Sequence, residues 1–485
     1  MTDVEMARQA VGRWKAMAEA LARDIWSYAE LPYCETKSAA ALCGALEREG
    51  FSVETHVAGI PTCFTAVFRN GTGTPVVGLL AEFDALDGLS QRAAWPEREA
   101  VTPGGAGHGC GHNLLGAGCF AAAMAIRDCL VQEGLGGSVV FFGCPAEEGA
   151  GSKQFMARAG CFDGIDFALT WHPGTWNQVP AKRNVAIMGG NFTFDGVAAH
   201  AGGAPHLGRS ALDAAELMNV GVNYLREHMP DEARVHYAYA DAGGTAPNVV
   251  PAHAVLKYEV RAPTVDQVQE LFERVVNIAQ GAALMTQTQM RWEITMAFSD
   301  YVPNRTLAEV VDQCLREIGA PVWTEADYRL AAQFLQTYPE PTRREMARAL
   351  EPFLTGEELA NWEQQPLDSR VHPFDAKECG CVSGSTDVGD AACAVPTVML
   401  TVATACLGNV GHSWQNTAFS CSPIGLKGMG TAAEALTLSA LRLLQRPDLL
   451  QRAERERAAQ HGEHYRCPLP APPRWRESQV WRRSY

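Results

Sequence analysis

SVVFFGCPAEE, residues 138–148, is the stretch on which the reading of the fold turns. Its apolar run has the length of a strand and does not alternate. A strand of that kind is covered on both faces, which is the signature of a parallel sheet lying under helices. The run ends abruptly in two carboxylates. PVVGLLAEFDAL (75–86) and FALTWHP (167–173) repeat the pattern of apolar chain followed by polar residues, and VPTVMLTVA (395–403) offers another buried strand. Residues 113–133, rich in Ala, Leu and Met, predict a covering helix. The expected class is therefore α/β, a mostly parallel sheet with flanking helices. Ligands of such sheets collect beyond the carboxyl ends of the strands. Glu82, Asp84, Glu147, Glu148 and His172 all fall there.

Moving outward, the pattern changes near Met188. An alternating strand (NFTFDGV), a helix over 209–229, strands at 233–241 and 254–261, a helix over 265–284 and a strand at 289–296 follow in order. This β-α-β-β-α-β succession is that of a small ferredoxin-like α+β domain. Both its ends return to the parallel-sheet region, so residues 189–304 are expected to form an inserted lid or dimerisation domain. Residues 1–188 and 305–485 would form the catalytic domain. Within the latter, the charged, helix-prone stretch 325–364 is expected to be a helical insertion. The tail CPLPAPPRWRESQVWRRSY (467–485) carries too much proline to continue a helix and is expected to be extended.

The bulk properties agree with this scheme. A chain of 485 residues exceeds the about 250 to 300 that one core supports. Hydrophobic residues at 47% and charged residues at 20% are ordinary for a globular protein. With a net charge of −15 and no Lys/Arg-rich run, nucleic acid is not an expected partner. The N-terminus reads as a charged amphipathic helix rather than a secretion signal, and no apolar run approaches the roughly 20 residues of a membrane span. No membrane partner and a cytoplasmic location are expected. Many of the 15 cysteines sit in apolar stretches, where a thiol packs as a small hydrophobe, so no disulfide framework is expected.

Chemistry gathers in four places. GHGCGHN (107–113) sets Cys110 and His112 in a glycine-bracketed loop before a helix, and both are good ligands for zinc-like metals. Taken alone, a buried thiol beside an ordinary histidine fits as well. PAEEGAGS (145–152) sets two adjacent carboxylates at a strand end. A helix start favoured by the macrodipole would look the same. Alternatively, one carboxylate holds a cation while the other moves a proton. His172 in TWHP and His412 in GNVGHSWQN (408–416) lie at two further strand-to-loop exits. Independent accidents would not all put metal-ligand types on one sheet edge.

The runs AEFDALDGLSQ, GHGCGHNLLG, PAEEGAGSKQFMARAG, LTWHP, HAGGAPHLGRSALDAAELMN, GGTAPNVVP and GSTDVGD, in that order, resemble the amidohydrolase branch of the aminoacylase and glutamate-carboxypeptidase metallopeptidases. The resemblance extends over essentially the whole chain. It implies two divalent ions, Mn or Zn, with Cys110 as the bridging ligand and His112, Glu148, His172 and His412 as the others. Glu147 matches the general base and Asp84 an acid supporting the metal site. Glu82 stands where many relatives in the wider family carry a histidine ligand, and it is expected to support the ligands from behind. His200 matches a histidine reaching across a dimer to the scissile carbonyl, and Asn248 and Arg261 match residues that bind carbonyl and carboxylate. A lid histidine and a strand-end arginine paired to surface acids would serve as well for the last group. Asp87 departs from the proline that the branch generally carries.

The implied activity is hydrolysis of the amide bond of an N-acyl or N-aroyl amino acid. An aminobenzoyl-glutamate-like aryl amide is the expected small-molecule substrate, and an indole-acetyl amino acid the alternative. A non-catalytic partner subunit on the same fold is the rival of another class. The expected assembly is a homodimer, or a heterodimer with a related subunit.

Overall fold

The computed structural model describes residues 2–378 and 380–469 of the chain. Helices α1 (Asp3–Tyr28) and α2 (Thr36–Arg48) precede strands β1 (Ser52–Thr55), β2 (Phe64–Asn70) and β3 (Val76–Ala81). Then come α3 (His112–Gln132), β4 (Gly137–Gly143), α4 (Lys153–Arg158), β5 (Phe167–Gly174) and the short β6 (Arg183–Asn184). Alternate residues of the central strands enter different cores, which is why their sequences do not alternate. Val139 and Phe141 of β4 join the core beneath α1 and α3, whereas Val140 and Phe142 join the one on the opposite face. Leu79 and Leu80 of β3 divide the same way. Helix α3 is buried almost all round and is the central helix of the first core, not a membrane span, although its length and composition would suit one.

The sheet has six strands in the order β1-β2-β4-β3-β5-β12, with β12 at Thr397–Ala403. The four from β4 to β12 are parallel, and β1 and β2 extend the sheet antiparallel. This extension was not expected from sequence. Strand β1 is the edge strand and β2 beside it is only partly covered, so neither carries the continuous apolar run that marks the others. Strand β5 also runs further than expected. His172 lies within it, opposite Thr401, because pairing with β12 continues to Gly174.

The lid sheet is formed by β7 (Ala186–Asp195), β8 (Arg234–Asp241), β9 (His253–Ala262) and β10 (Gln289–Phe298), in the antiparallel order β10-β7-β9-β8. Helices α5 (Ala211–Leu225) and α6 (Val265–Thr286) cover one face. Strand β9 alternates strictly, burying Ala254, Leu256, Tyr258, Val260 and Ala262 against them.

After the lid, α7 (Arg305–Ile318) returns to the first core. Helices α8 (Glu325–Leu335), α9 (Glu340–Leu350) and α10 (Gly356–Ala360) then build a satellite core. Phe334, Tyr338, Met346 and Trp362 pack there against Leu407 and Phe419. Strand β11 (Cys381–Val382), α11 (Val388–Ala394), α12 (Trp414–Phe419), α13 (Pro423–Leu444) and α14 (Pro447–His461) complete the chain. Among the described residues every cysteine is free. Cys467 to Leu469 begin the proline-rich tail, and residues 470–485 lie outside the described residues.

Candidate metal centre

Three strand ends and two loops meet at the carboxyl edge of the sheet. Beyond β3, Glu82 and Asp84 are two residues apart and therefore face the same side. They flank His112, whose Nδ1 lies 2.8 Å from Asp84 Oδ1 and whose Nε2 lies 3.4 Å from Glu82 Oε2. Asp84 Oδ2 also accepts the Glu148 amide at 2.9 Å, tying this strand end to the one beyond β4. His112 opens α3 after Gly111, whose φ of +85° is left-handed. A Cβ there would also come within 3.0 Å of Pro173, so glycine alone fits this approach of the Cys110 loop to β5.

Cys110 Sγ is 3.4 Å from His172 Nε2, while His172 Nδ1 bonds the Pro173 carbonyl at 2.8 Å. A carbonyl only accepts, so Nδ1 carries the proton and Nε2 presents a lone pair to the cluster. His412 Nε2 lies 3.1 Å from Glu148 Oε1. Two triads result, each with its donor atoms within 4.8 Å of one another: Cys110, His112 and His172, and Cys110, Glu148 and His412. They share Cys110. Glu82, His112 and Glu147 form a third.

The donor set fits cations on the chain's own evidence. His112 Nε2 is buried without a hydrogen-bond partner, a costly state for a polar atom unless a ligand satisfies it. Charge points the same way. Burial opposes the imidazolium at His112, yet Cys110 and Asp84 overcome it and raise its proton affinity. Burial would also raise Glu148, but the His412 and His112 imidazoles prevail and hold it near 2. Burial pushes the Cys110 thiol up, so it is a cation that would draw out its thiolate. Glu147 is pushed well up by burial and by the negative charges of Glu82 and Glu148.

Two buried groups escaped the sequence reading. Lys153 is fully buried at the start of α4, its ammonium 2.6 Å from Glu82 Oε1 and hydrogen-bonded to Asp387 Oδ1. Asp387 Oδ2 in turn accepts the Ser152 and Lys153 amides at 2.9 and 3.0 Å. A lysine at a helix N-terminus opposes the macrodipole, and that misplacement was the available signal. Glu35 is buried too. It accepts the Tyr33 and Ala146 amides at 2.9 and 2.8 Å and the Thr62 hydroxyl at 2.9 Å. It thereby anchors Ala146, whose φ of +62° starts the turn carrying Glu147. Burial, with Asp84 nearby, pushes the Glu35 carboxyl up to about 8.

The lid candidates stand apart from this cluster. His200 and Asn248 are exposed on adjoining lid loops, linked by the Ala201 amide to the Asn248 carbonyl at 2.9 Å. His200 Nδ1 accepts the Gly202 and Gly203 amides at 3.1 and 3.0 Å, which leaves Nε2–H as an outward donor. Arg261 reaches Ser385 Oγ at 3.1 Å, two residues before Asp387, and Glu259 at 3.4 Å. Asp87 is exposed in a turn.

Comparison with known proteins agrees with this geometry. Residues 184–285 match the M20 peptidase dimerisation domain. The chain is 41% identical over 456 residues to a p-aminobenzoyl-glutamate hydrolase subunit of Escherichia coli (strain K12), covering 93% of this chain and 94% of the relative. It is 32% identical over 289 residues to the indole-3-acetyl-aspartic acid hydrolase of Enterobacter agglomerans, covering 54% of this chain and 64% of that one. A dinuclear metal-binding peptidase of the M20 family from Bacillus subtilis shares the fold at a TM-score of 0.56 and 17% identity, over 90% of this chain and 99% of that one. The chain belongs to the M20 family of metallopeptidases and amidohydrolases, and it is a hydrolase of amide bonds.

Proposed function

We propose that the chain hydrolyses the amide of an N-aroyl amino acid of the aminobenzoyl-glutamate type, at a centre of two divalent ions, Mn or Zn. The observation that carries this reading is the pair of ligand triads sharing Cys110, with Glu147 beside them. Cys110 would bridge, His112 and His172 would complete one set, and Glu148 and His412 the other. Bound divalent ions supply Lewis acidity that activates water and polarises the amide carbonyl.

The chain's own residues do the rest. Glu147 takes a proton from the attacking water as oxygen bonds to the carbonyl carbon. It delivers that proton to the amine nitrogen as the C–N bond breaks. Its raised proton affinity suits both halves of that transfer. Asp84 orients His112 and Glu148, and Glu82 is held behind His112 by Lys153. His200 Nε2–H would steady the carbonyl oxygen as charge develops there, with Asn248 assisting. Arg261, a planar fork of donors, suits the carboxylate of the amino-acid half.

Residues 1–188 and 305–485 are proposed as the catalytic domain, with 325–364 as its insertion and 189–304 as the lid and dimerisation domain. The assembly is proposed to be a homodimer, with a related second subunit as the alternative, and the location cytoplasmic, in keeping with its free thiols. The test is turnover by the full-length, metal-reconstituted protein alone, offered aminobenzoyl-glutamate and indole-acetyl-aspartate. Faster cleavage of the first is expected. Preference for the second would move the substrate class, and a metal-loaded chain inert to both would support the partner-subunit reading instead.

A further inference from the structure

Of the five proposed ligands, His412 is the exposed one. Val410 and Gly411 are exposed as well. His412 also adopts a left-handed φ of +53°, a conformation that is unfavourable for an L-residue. A ligand on such a loop needs an anchor. The Gly109 carbonyl gives one, accepting the His412 amide at 3.0 Å and the Asn416 side chain at 2.6 Å. Trp26 Nε1 and the Ala94 amide hold the far end of the loop through the Thr417 and Ala418 carbonyls, at 2.9 and 3.0 Å, and further polar anchors come from the segment that follows α8. Tyr338 Oη, buried at 7% exposure, donates to Asn409 Oδ1 at 2.9 Å and accepts the Val410 amide at 3.2 Å. Asn409 passes this on by donating to Asn416 Oδ1 at 2.7 Å. Thr337 Oγ1 accepts Gln415 Nε2 at 3.0 Å. Beneath them, Phe334 packs on Phe419 at 4.3 Å between ring centroids, and Met346 of α9 closes over Gly408. The insertion therefore grips the His412 loop at both ends, from Gly408 to Phe419.

We propose that the helical insertion positions His412 at the metal centre, with the Tyr338 hydroxyl as its principal positioning group. Through this contact it sets the affinity for the ion that Cys110, Glu148 and His412 would share. Tyr338 touches no ligand atom and acts through the backbone of the loop. The inference rests on the shared-thiolate reading of the site, so its test must separate the two.

The full-length protein, stripped with a chelator, is titrated calorimetrically with Zn²⁺ as wild type, Tyr338→Phe, His412→Ala and the double variant. Wild type is expected to bind two ions per chain, and His412→Ala identifies the ion held in part by His412. Tyr338→Phe keeps the ring in its core and is expected to weaken that same ion about 10- to 100-fold, as loss of a group that orients a ligand commonly does, leaving the other ion unchanged. In the His412→Ala background the same change is expected to add nothing, since its effect passes through His412. Equal weakening of both ions, no weakening, or a full additional loss in the double variant would overturn the positioning role. A wild-type chain that binds fewer than two ions would overturn the shared-thiolate reading itself, and this inference with it.

Discussion

Glu147 and Glu148 are adjacent in the chain and opposite in proton affinity, because they face different company. Glu148 looks at His412 and His112 and stays ionised, while Glu147 looks at Glu82 and Glu148 and is pushed up. A carboxylate poised to accept and return a proton is worth about 10²- to 10⁴-fold in rate. Glu147→Gln is accordingly expected to lower kcat by that order while the chain still binds metal, measured as turnover beside metal content. A Gln variant that keeps its rate would exclude Glu147 as the base. Lys153 makes a different kind of contribution, neutralising Glu82 and Asp387 in a buried site. Breaking one side of such a network costs about 3 to 5 kcal/mol, because charge is left buried and uncompensated. Lys153→Met should lose that much in chemical denaturation, and adding Asp387→Asn should recover part of it. Strict additivity of the two losses would show that the groups are uncoupled. Cys110, His112, Glu147, Glu148, His172 and His412 could be picked out in sequence because thiol, imidazole and carboxylate at strand exits are unusual in type. Lys153 and Glu35 could not, since what makes each matter is a partner 234 or 111 residues away.

At the scale of elements, the legible parts were those whose environment is uniform along the chain. Strands β3, β4, β5 and β12 are covered on both faces and read as apolar runs, and β9 is covered on one and alternates. Strand β1 is the sheet's edge and β2 lies beside it, both with mixed exposure, and no periodicity survives there. Helix α11 shows how elements are joined by a buried acid. Its Asp390 accepts the Ser299 hydroxyl and amide at 2.6 and 3.2 Å, just beyond β10, and the Tyr465 hydroxyl at 2.9 Å, just beyond α14. Burial outweighs these bonds and raises its carboxyl from 3.8 to about 7. Below 3.8 the proton is held in both folded and unfolded chains. As pH rises from there to about 7 the unfolded chain ionises first, so the native state loses stability across that window and no further above it. Asp390→Asn cannot ionise, and its stability is expected to fall less between pH 5 and 8, with a higher urea midpoint than wild type at the alkaline end. An identical fall in both proteins would assign the pH dependence to other groups.

The whole molecule raises the question of where the His200 donor acts. Within one chain its hydrogen bonds run to its own loop, and Asn248 sits beside it on the lid, while the ligand triads lie at the edge of the other sheet. A site that combines Glu147 of one copy with His200 of another requires a two-fold dimer, in which each lid serves the opposite centre. The stoichiometry of rescue follows from that geometry. His200→Ala and Glu147→Ala homodimers are each defective at both sites. A hybrid holds one site with both groups intact and one with neither. If subunits exchange freely in an equimolar mixture, half the dimers are hybrids with half their sites restored, giving about one quarter of wild-type activity from two nearly inactive proteins. Differently tagged chains allow the hybrid to be isolated, and the purified hybrid should then reach about one half. An isolated hybrid as inactive as its parents would place His200 and Glu147 in sites built by single chains, and the lid would then have to close on its own catalytic domain for its histidine to reach the amide.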